Sequence, residues 1–288
     1  MQDYRSNSGE RKGFDAFDVS DPAAPRRISS YGPDAYVHGL SIDPVRELLH
    51  CAYWEWEEAF VGCIAFDASD PRAPVEVGRF DCADRTPYSE AGVGEEGFGN
   101  AHHADADPQR DLVLLMDERR FGKPGGKHVL DVGWKDGSLE KPVPIGYTLS
   151  PNAQRMRSDA ADDDTTEFTE LLDWTGHDGD MIPWGDETLY VSGDWHEGVV
   201  LYDLTDPTDP RPIDQYATAD GASAVRPNDT VARYGDPPMS WAATYNDTRD
   251  FVVAADSFTG VYTFELAVDG DESGTATTTT ASDGESAS

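Results

Sequence analysis

The sequence predicts an all-β fold, a β-propeller of four-stranded antiparallel blades with four to five blades visible. Three observations carry this. A strand-like segment recurs five times, a proline turn follows three of the copies, and helical periodicity of any length is missing. One blade cannot bury both faces of its sheet, so tandem blades must stack around a shared axis.

The recurring segment is a glycine, three residues, a large apolar residue, an acid, and usually another apolar residue. It begins at Gly13, Gly62, Gly126, Gly198 and Gly260, and its acids are Asp18, Asp67, Asp131, Asp203 and Glu265. Each copy is short and rich in β-branched or aromatic residues, the composition of a strand. Three copies run into Ser/Thr-Asp-Pro-x-x-Pro at Ser20, Ser69 and Thr205. There the hydroxyl and carboxylate can bond nearby amides while proline fixes φ and ends the ladder. A further strand follows each reversal, at 27–31, 75–80 and 212–216. The copy at Asp131 is degenerate, with Lys135-Asp136-Gly137 in place of the proline turn.

A second set of segments precedes the glycine strands. Those starting at Val37, Ala101, Gly176 and Ser240 align without gaps, and each leads through a polar turn into an apolar run, at 48–54, 112–116, 189–192 and 251–254. The repeating unit is therefore four strands. Five glycine strands are preceded by only four inner strands, and the last unit lacks its outer strand. Two readings are open: residues 27–31 supply that strand and close the ring by joining the chain ends, or N-terminal blades are missing. Residues 1–12 are expected to be a flexible segment, 13–268 the propeller, and 269–288 a disordered acidic Thr/Ser-rich tail.

The proline-turn copies resemble the LVIVD repeat family, whose members are propeller-type proteins. That resemblance covers about residues 13–266 and implies a fold but little chemistry. Residues 189–207, which include Trp195, His196 and the Gly198 strand, resemble the selenium-binding protein and methanethiol oxidase family, itself a propeller. This second resemblance implies an oxidase, although no counterpart of that family's N-terminal cysteine region is present.

Charge excludes one class of partner. Lys+Arg 22 against Asp+Glu 56 gives a net charge of −34, the opposite of the basic face that phosphate contacts require, so no nucleic acid is expected. No apolar run approaches the roughly 20 residues of a transmembrane segment. The acids are spread along the whole chain, the composition of a halophile, because concentrated salt screens their mutual repulsion. A chain without a leader is expected in the cytoplasm, or at the cell surface or outside if its start is incomplete. The odd cysteine count argues against a disulfide scaffold, although Cys51 and Cys63 can face each other across a hairpin near Glu57.

Candidate chemistry sits at the aligned inner-strand entrances. His38, His102 and His177 occupy one register position, with Trp241 at the fourth, so pseudo-symmetry predicts three imidazoles at similar depth around one axis. Such a set suits a divalent transition metal, Zn, Cu or Fe. His103 should point away from His102 in a strand. It is placed in a supporting role with Asp105, Asp178, Asp180 and His196, where acids orient imidazoles or accept protons. The competing structural reading has the histidines bonding to turn residues, with Asp43 and Asp107 available. Insertions at about 82–100, 148–175 and 217–239 are expected to wall the rim. Two functions follow: a binding module taking a protein, glycan or small-molecule ligand at the channel rim, or a metal-dependent oxidase or hydrolase using the three histidines.

Overall fold

The computed structural model describes residues 13–31, 37–54, 60–82, 101–118, 125–154, 175–219 and 237–266. The expected leading segment, tail and most of the rim insertions lie outside these residues. Among the described residues seventeen strands form four antiparallel blades in a β-propeller arrangement, plus a two-stranded ribbon. The ribbon is β1 (Phe14–Asp18) with β2 (Arg26–Tyr31). Blade 1 is β3 (Val37–Asp43), β4 (Leu48–Tyr53), β5 (Gly62–Asp67) and β6 (Val75–Asp81). Blade 2 is β7 (Ala101–Asp107), β8 (Leu112–Asp117), β9 (Lys127–Asp131) and β10 (Val143–Thr148). Blade 3 is β11 (Gly179–Trp184), β12 (Glu187–Asp194), β13 (Gly198–Asp203) and β14 (Arg211–Tyr216). Blade 4 is β15 (Ser240–Asn246), β16 (Phe251–Asp256) and β17 (Gly260–Glu265).

The apolar runs are continuous because each central strand feeds two interfaces. In β8, Val113 and Leu115 pack with Ala52, Cys63 and Phe80 of blade 1, whereas Leu114 and Met116 pack with Tyr190, Val200 and Tyr202 of blade 3. Ile182 and Val191 meet Ala243, Val252 and Ala254 of blade 4 in the same way. With period 2 in the strand, alternate side chains go to opposite neighbours, and neither face is left to solvent.

The turn chemistry works as the sequence implies. Asp18, Asp67 and Asp203 accept from the amides of Ser20, Ser69 and Thr205 at 3.0, 2.9 and 2.9 Å. At the degenerate copy the Asp131 carboxylate, 1% exposed, accepts from the amides of Gly133, Trp134, Lys135, Asp136 and Gly137. One aspartate thus organises the reversal that proline organises elsewhere. Those amides hold its carboxyl below the usual 3.8 even against burial, which pushes the other way.

Inner strands are joined by a second repeated position. Ser41 donates its hydroxyl hydrogen to the Ala104 carbonyl. Asp105 accepts from the Met181 amide, and Asp180 accepts from the Tyr245 amide at 3.1 Å. Asp105 and Asp180 therefore tie neighbouring blades, and both also feel the charge of His103. Gly39 lets β3 reach β7: a Cβ there would lie 2.2 Å from the His102 carbonyl oxygen.

Three expectations are corrected. Residues 26–31 pair with 14–18 and not with β17, because Phe14 and Tyr31 cover Phe66 on the side of blade 1. They therefore supply no outer strand to blade 4. Cys51 pairs with Ile64 and Cys63 with Ala52, so the two thiols point to opposite faces of the sheet, and none of the three cysteines forms a disulfide among the described residues. Asp43 and Asp107 bond Arg46 and Arg110 at 2.5 and 2.7 Å, closing their own hairpins instead of holding histidines. Among the described residues no helix is long and apolar enough to cross a membrane.

Candidate metal centre

Rotational equivalence brings the three histidines into a row. The His38 and His102 ring centroids are 4.1 Å apart and those of His102 and His177 4.0 Å, with Trp241 continuing the series 5.0 Å from His177. His102 and His177 are each 2% exposed. The structural reading and the ligand reading meet in one pattern. His177 donates from Nδ1 to the carbonyl of Trp241, and the His38 ring bonds the backbone of His102. In both cases a ring is steadied by the equivalent residue of the next blade. For His177 this fixes the tautomer: Nδ1 carries the hydrogen and Nε2 keeps the lone pair.

A second ring of equivalent positions lies just past the second strand of each blade. There Trp54, Glu118 and Trp195 follow Tyr53, Asp117 and Asp194. Trp54 stands edge-on to His38 at 4.0 Å and Trp195 edge-on to His177 at 4.9 Å. Glu118, 3% exposed, places Oε2 3.7 Å from His102 Nε2 and Oε1 3.8 Å from His177 Nε2. The Trp195 indole donates to Oε1 at 2.9 Å and sets the carboxylate's orientation. Glu118 is the candidate site residue that sequence reasoning missed. The repeat alignment held the signal, since Asp117-Glu118 stands where other blades have Tyr53-Trp54 and Asp194-Trp195.

Asp178 closes the other side, with Oδ1 3.2 Å from His102 Nδ1 and 3.6 Å from His103 Nδ1. The strand rule that separates His102 from His103 fails because register slips between Ala101 and His103. This bulge lets two consecutive histidines reach one carboxylate. His196 sits at φ 59° in the β12–β13 turn, and the neighbouring Trp195 contacts Glu118 and His177. Among the described residues, two groups have donor atoms within 4.8 Å of one another: His38, His102 and Glu118, and His102, His177 and Asp178. Neither contains all three histidines.

Burial keeps the imidazoles neutral. It lowers His38 to about 2, with repulsion from His102 adding to it, and His102 to about 3, with His103 adding to it. His177 falls well below 6.5 for the same two reasons, burial and then His102. His50, buried in blade 1 beside Arg46, falls to about 4. Neutral rings in the fold against an unfolded value of 6.5 mean that the unfolded chain binds more protons below that pH. Stability is therefore complete above pH 6.5 and declines as pH drops, by about 1.4 kcal/mol per pH unit for each such ring until its folded value is reached. The carboxyls of Asp43, Asp131 and Asp203 lie below 3.8 in the fold. Their contribution is present above that value and is lost only in stronger acid. Denaturant unfolding at metal-free pH 7, 6, 5 and 4 should show the first decline, and His50→Gln should flatten it.

No family model and no curated protein matches the chain. Solved structures do. A Lactobacillus plantarum protein matches at TM-score 0.56 and 10% identity, covering 96% of this chain and 64% of that one. The periplasmic gluconolactonase of Pseudomonas aeruginosa matches at 0.53 and 10%, covering 92% and 62%. The Malassezia sympodialis allergen Mala s 1 matches at 0.50 and 9%, covering 84% and 65%. The chain thus spans less than two thirds of the length of these structures. At such identities the likeness is one of fold, a β-propeller.

Proposed function

We propose that this propeller is a binding module whose rim site takes a divalent transition-metal ion, held by His38, His102 and Glu118, whose donor atoms lie within 4.8 Å of one another. The observation that carries this is the Glu118 carboxylate lying 3.7 Å from the buried Nε2 of His102, in a group with His38 whose donor atoms all lie within 4.8 Å of one another. Two ligands of one tetrahedral ion at about 2.1 Å stand about 3.4 Å apart, so Glu118 and His102 are a few tenths of an ångström from ligand spacing. Neutral imidazoles with one carboxylate suit Zn, Cu or Fe. The test is a titration of chelator-stripped protein with Zn²⁺ in concentrated KCl. About one tightly held equivalent at this site supports the reading, and less than about a tenth overturns it.

The alternative, a metal-dependent oxidase or hydrolase, needs the same ion and a proton acceptor. Asp178, with 36% of its side chain exposed beside His102, supplies one. The activity in the name of the P. aeruginosa neighbour is the first to assay. Activity that survives removal of the metal ends that reading.

The charge of −34 supports a salt-rich working medium. The thermal midpoint should rise by about 10 °C or more between 0.1 and 3 M KCl, as screening relieves self-repulsion. A flat or falling midpoint contradicts this.

A further inference from the structure

We propose that the outer edge of β17 is a docking site for an extended, basic segment of a partner protein, which adds the fourth strand that blade 4 lacks. Among the described residues no strand pairs with that edge, and a free edge presents a row of unpaired amides and carbonyls. The other sheets show what fits there. β2, β6, β10 and β14 each pair antiparallel with the glycine strand of their own sheet, and all four share one register. The third residue, Ile28, Val77, Ile145 or Ile213, stands at a bulge. The sixth, Tyr31, Phe80, Thr148 or Tyr216, lies opposite the residue that follows the repeat glycine.

Blade 4 keeps the receiving half of this arrangement. A Cβ at Gly62, Gly126 or Gly198 would collide with the carbonyl oxygen of Phe80, Thr148 or Tyr216, so each glycine makes room for the sixth residue of its outer strand. Gly260 repeats the glycine, yet nothing lies within 4 Å of the Cβ position there. Tyr216 stands opposite Val199, whereas the equivalent Val261 is 72% exposed. The acid of the motif also lacks its partner. Arg26 and Arg211 open their strands by bonding Asp18 and Asp203 at 2.6 and 3.0 Å, but the equivalent Glu265 is exposed and pairs with no cation among the described residues.

The fitting occupant therefore carries Arg or Lys first, a β-branched residue third and an aromatic residue sixth, the last covering Val261 and the first meeting Glu265. Arg-x-Ile-x-x-Tyr occurs at 26–31 and 211–216, and both copies are already paired within this chain. Residues 267–288 contain neither a cation nor an aromatic residue, so they do not fit. The charge of −34 opposes a second copy and favours a basic segment.

The experiment titrates a labelled peptide with the sequence of residues 24–33 into the full chain, at the lowest KCl concentration that preserves its circular dichroism, and locates the contact by hydrogen exchange. Expected are one saturable equivalent and slowed exchange of the outward amides of 260–265. Val261→Lys should weaken binding by about 5-fold or more. Glu265→Lys should weaken it by about 3-fold, and a peptide with Glu for its first Arg should recover that loss. Both positions are exposed, so the circular dichroism of each variant should match the unaltered chain. No binding at millimolar peptide overturns the proposal, as do equal binding by a scrambled peptide, protection elsewhere, or binding that neither substitution weakens. Outward β17 amides already slow in the free chain also overturn it, marking a second copy if sedimentation shows a dimer and the chain's own residues if it shows a monomer.

Discussion

His102→Ala should weaken metal binding by at least about 100-fold, the largest effect expected of any substitution in this chain. Changing a group that only supports a ligand costs 10–100-fold, and His102 stands in both donor groups. Glu118→Gln should cost about as much as a supporting group or more, since the amide keeps the Trp195 contact but not the charge. His196→Ala should leave affinity unchanged, because His196 stands in neither donor group. The readout is competition with a chromophoric chelator at constant KCl. A His102→Ala protein that holds metal as tightly as the unaltered chain contradicts the assignment.

Lys127→Met should lower the unfolding free energy by about 3–5 kcal/mol, the range for breaking one side of a buried ion pair. Lys127 is 1% and Asp194 0% exposed. Nζ lies 3.0 and 2.9 Å from the two Asp194 oxygens, 3.1 Å from the Tyr202 hydroxyl and 4.3 Å over its ring. Burial draws the ammonium below its ordinary 10.5, while Asp194 pulls it back. The pair joins β9 of blade 2 to β12 of blade 3, and Asp194 also accepts from the Ser192 hydroxyl at 3.0 Å and the His177 amide at 3.3 Å. Removing the lysine strands a carboxylate in a dry interface. Lys127→Met combined with Asp194→Asn should recover much of the loss, because no charge is then left unpaired. Urea unfolding in concentrated KCl measures both. A single-variant loss below about 1 kcal/mol would mean that Asp194 finds other partners.

The architecture was legible because its signals are local and repeated. The glycine strands and Asp-Pro turns each state their own geometry, and four copies in register place His38, His102 and His177 together without any coordinates. What was not legible depends on departures from the repeat. Glu118 replaces an aromatic residue at a position whose importance shows only when the inner ends of two strands meet. The bulge at His102 undoes a period-2 rule on which His103 was judged. Asp105 and Asp180 look like site carboxylates by their nearness in sequence, yet they spend oxygens on amides of the next blade. The facing of Cys51 and Cys63 across their hairpin failed by one residue of register, enough to turn a side chain through the sheet. The Lys127–Asp194 pair gave no sequence signal, since a lysine one residue after a repeat glycine reads as surface until the neighbouring blade is placed over it.

X-ray absorption at the edge of bound zinc is the most direct test of the claim that equivalent blade positions converge on one ion. The account predicts a first shell of imidazole nitrogen and carboxylate oxygen at 2.0–2.2 Å, with the imidazole scattering diminished in His102→Ala and again in His38→Ala. A shell of oxygen alone, unchanged by either substitution, would place the metal on the acidic surface and contradict the account.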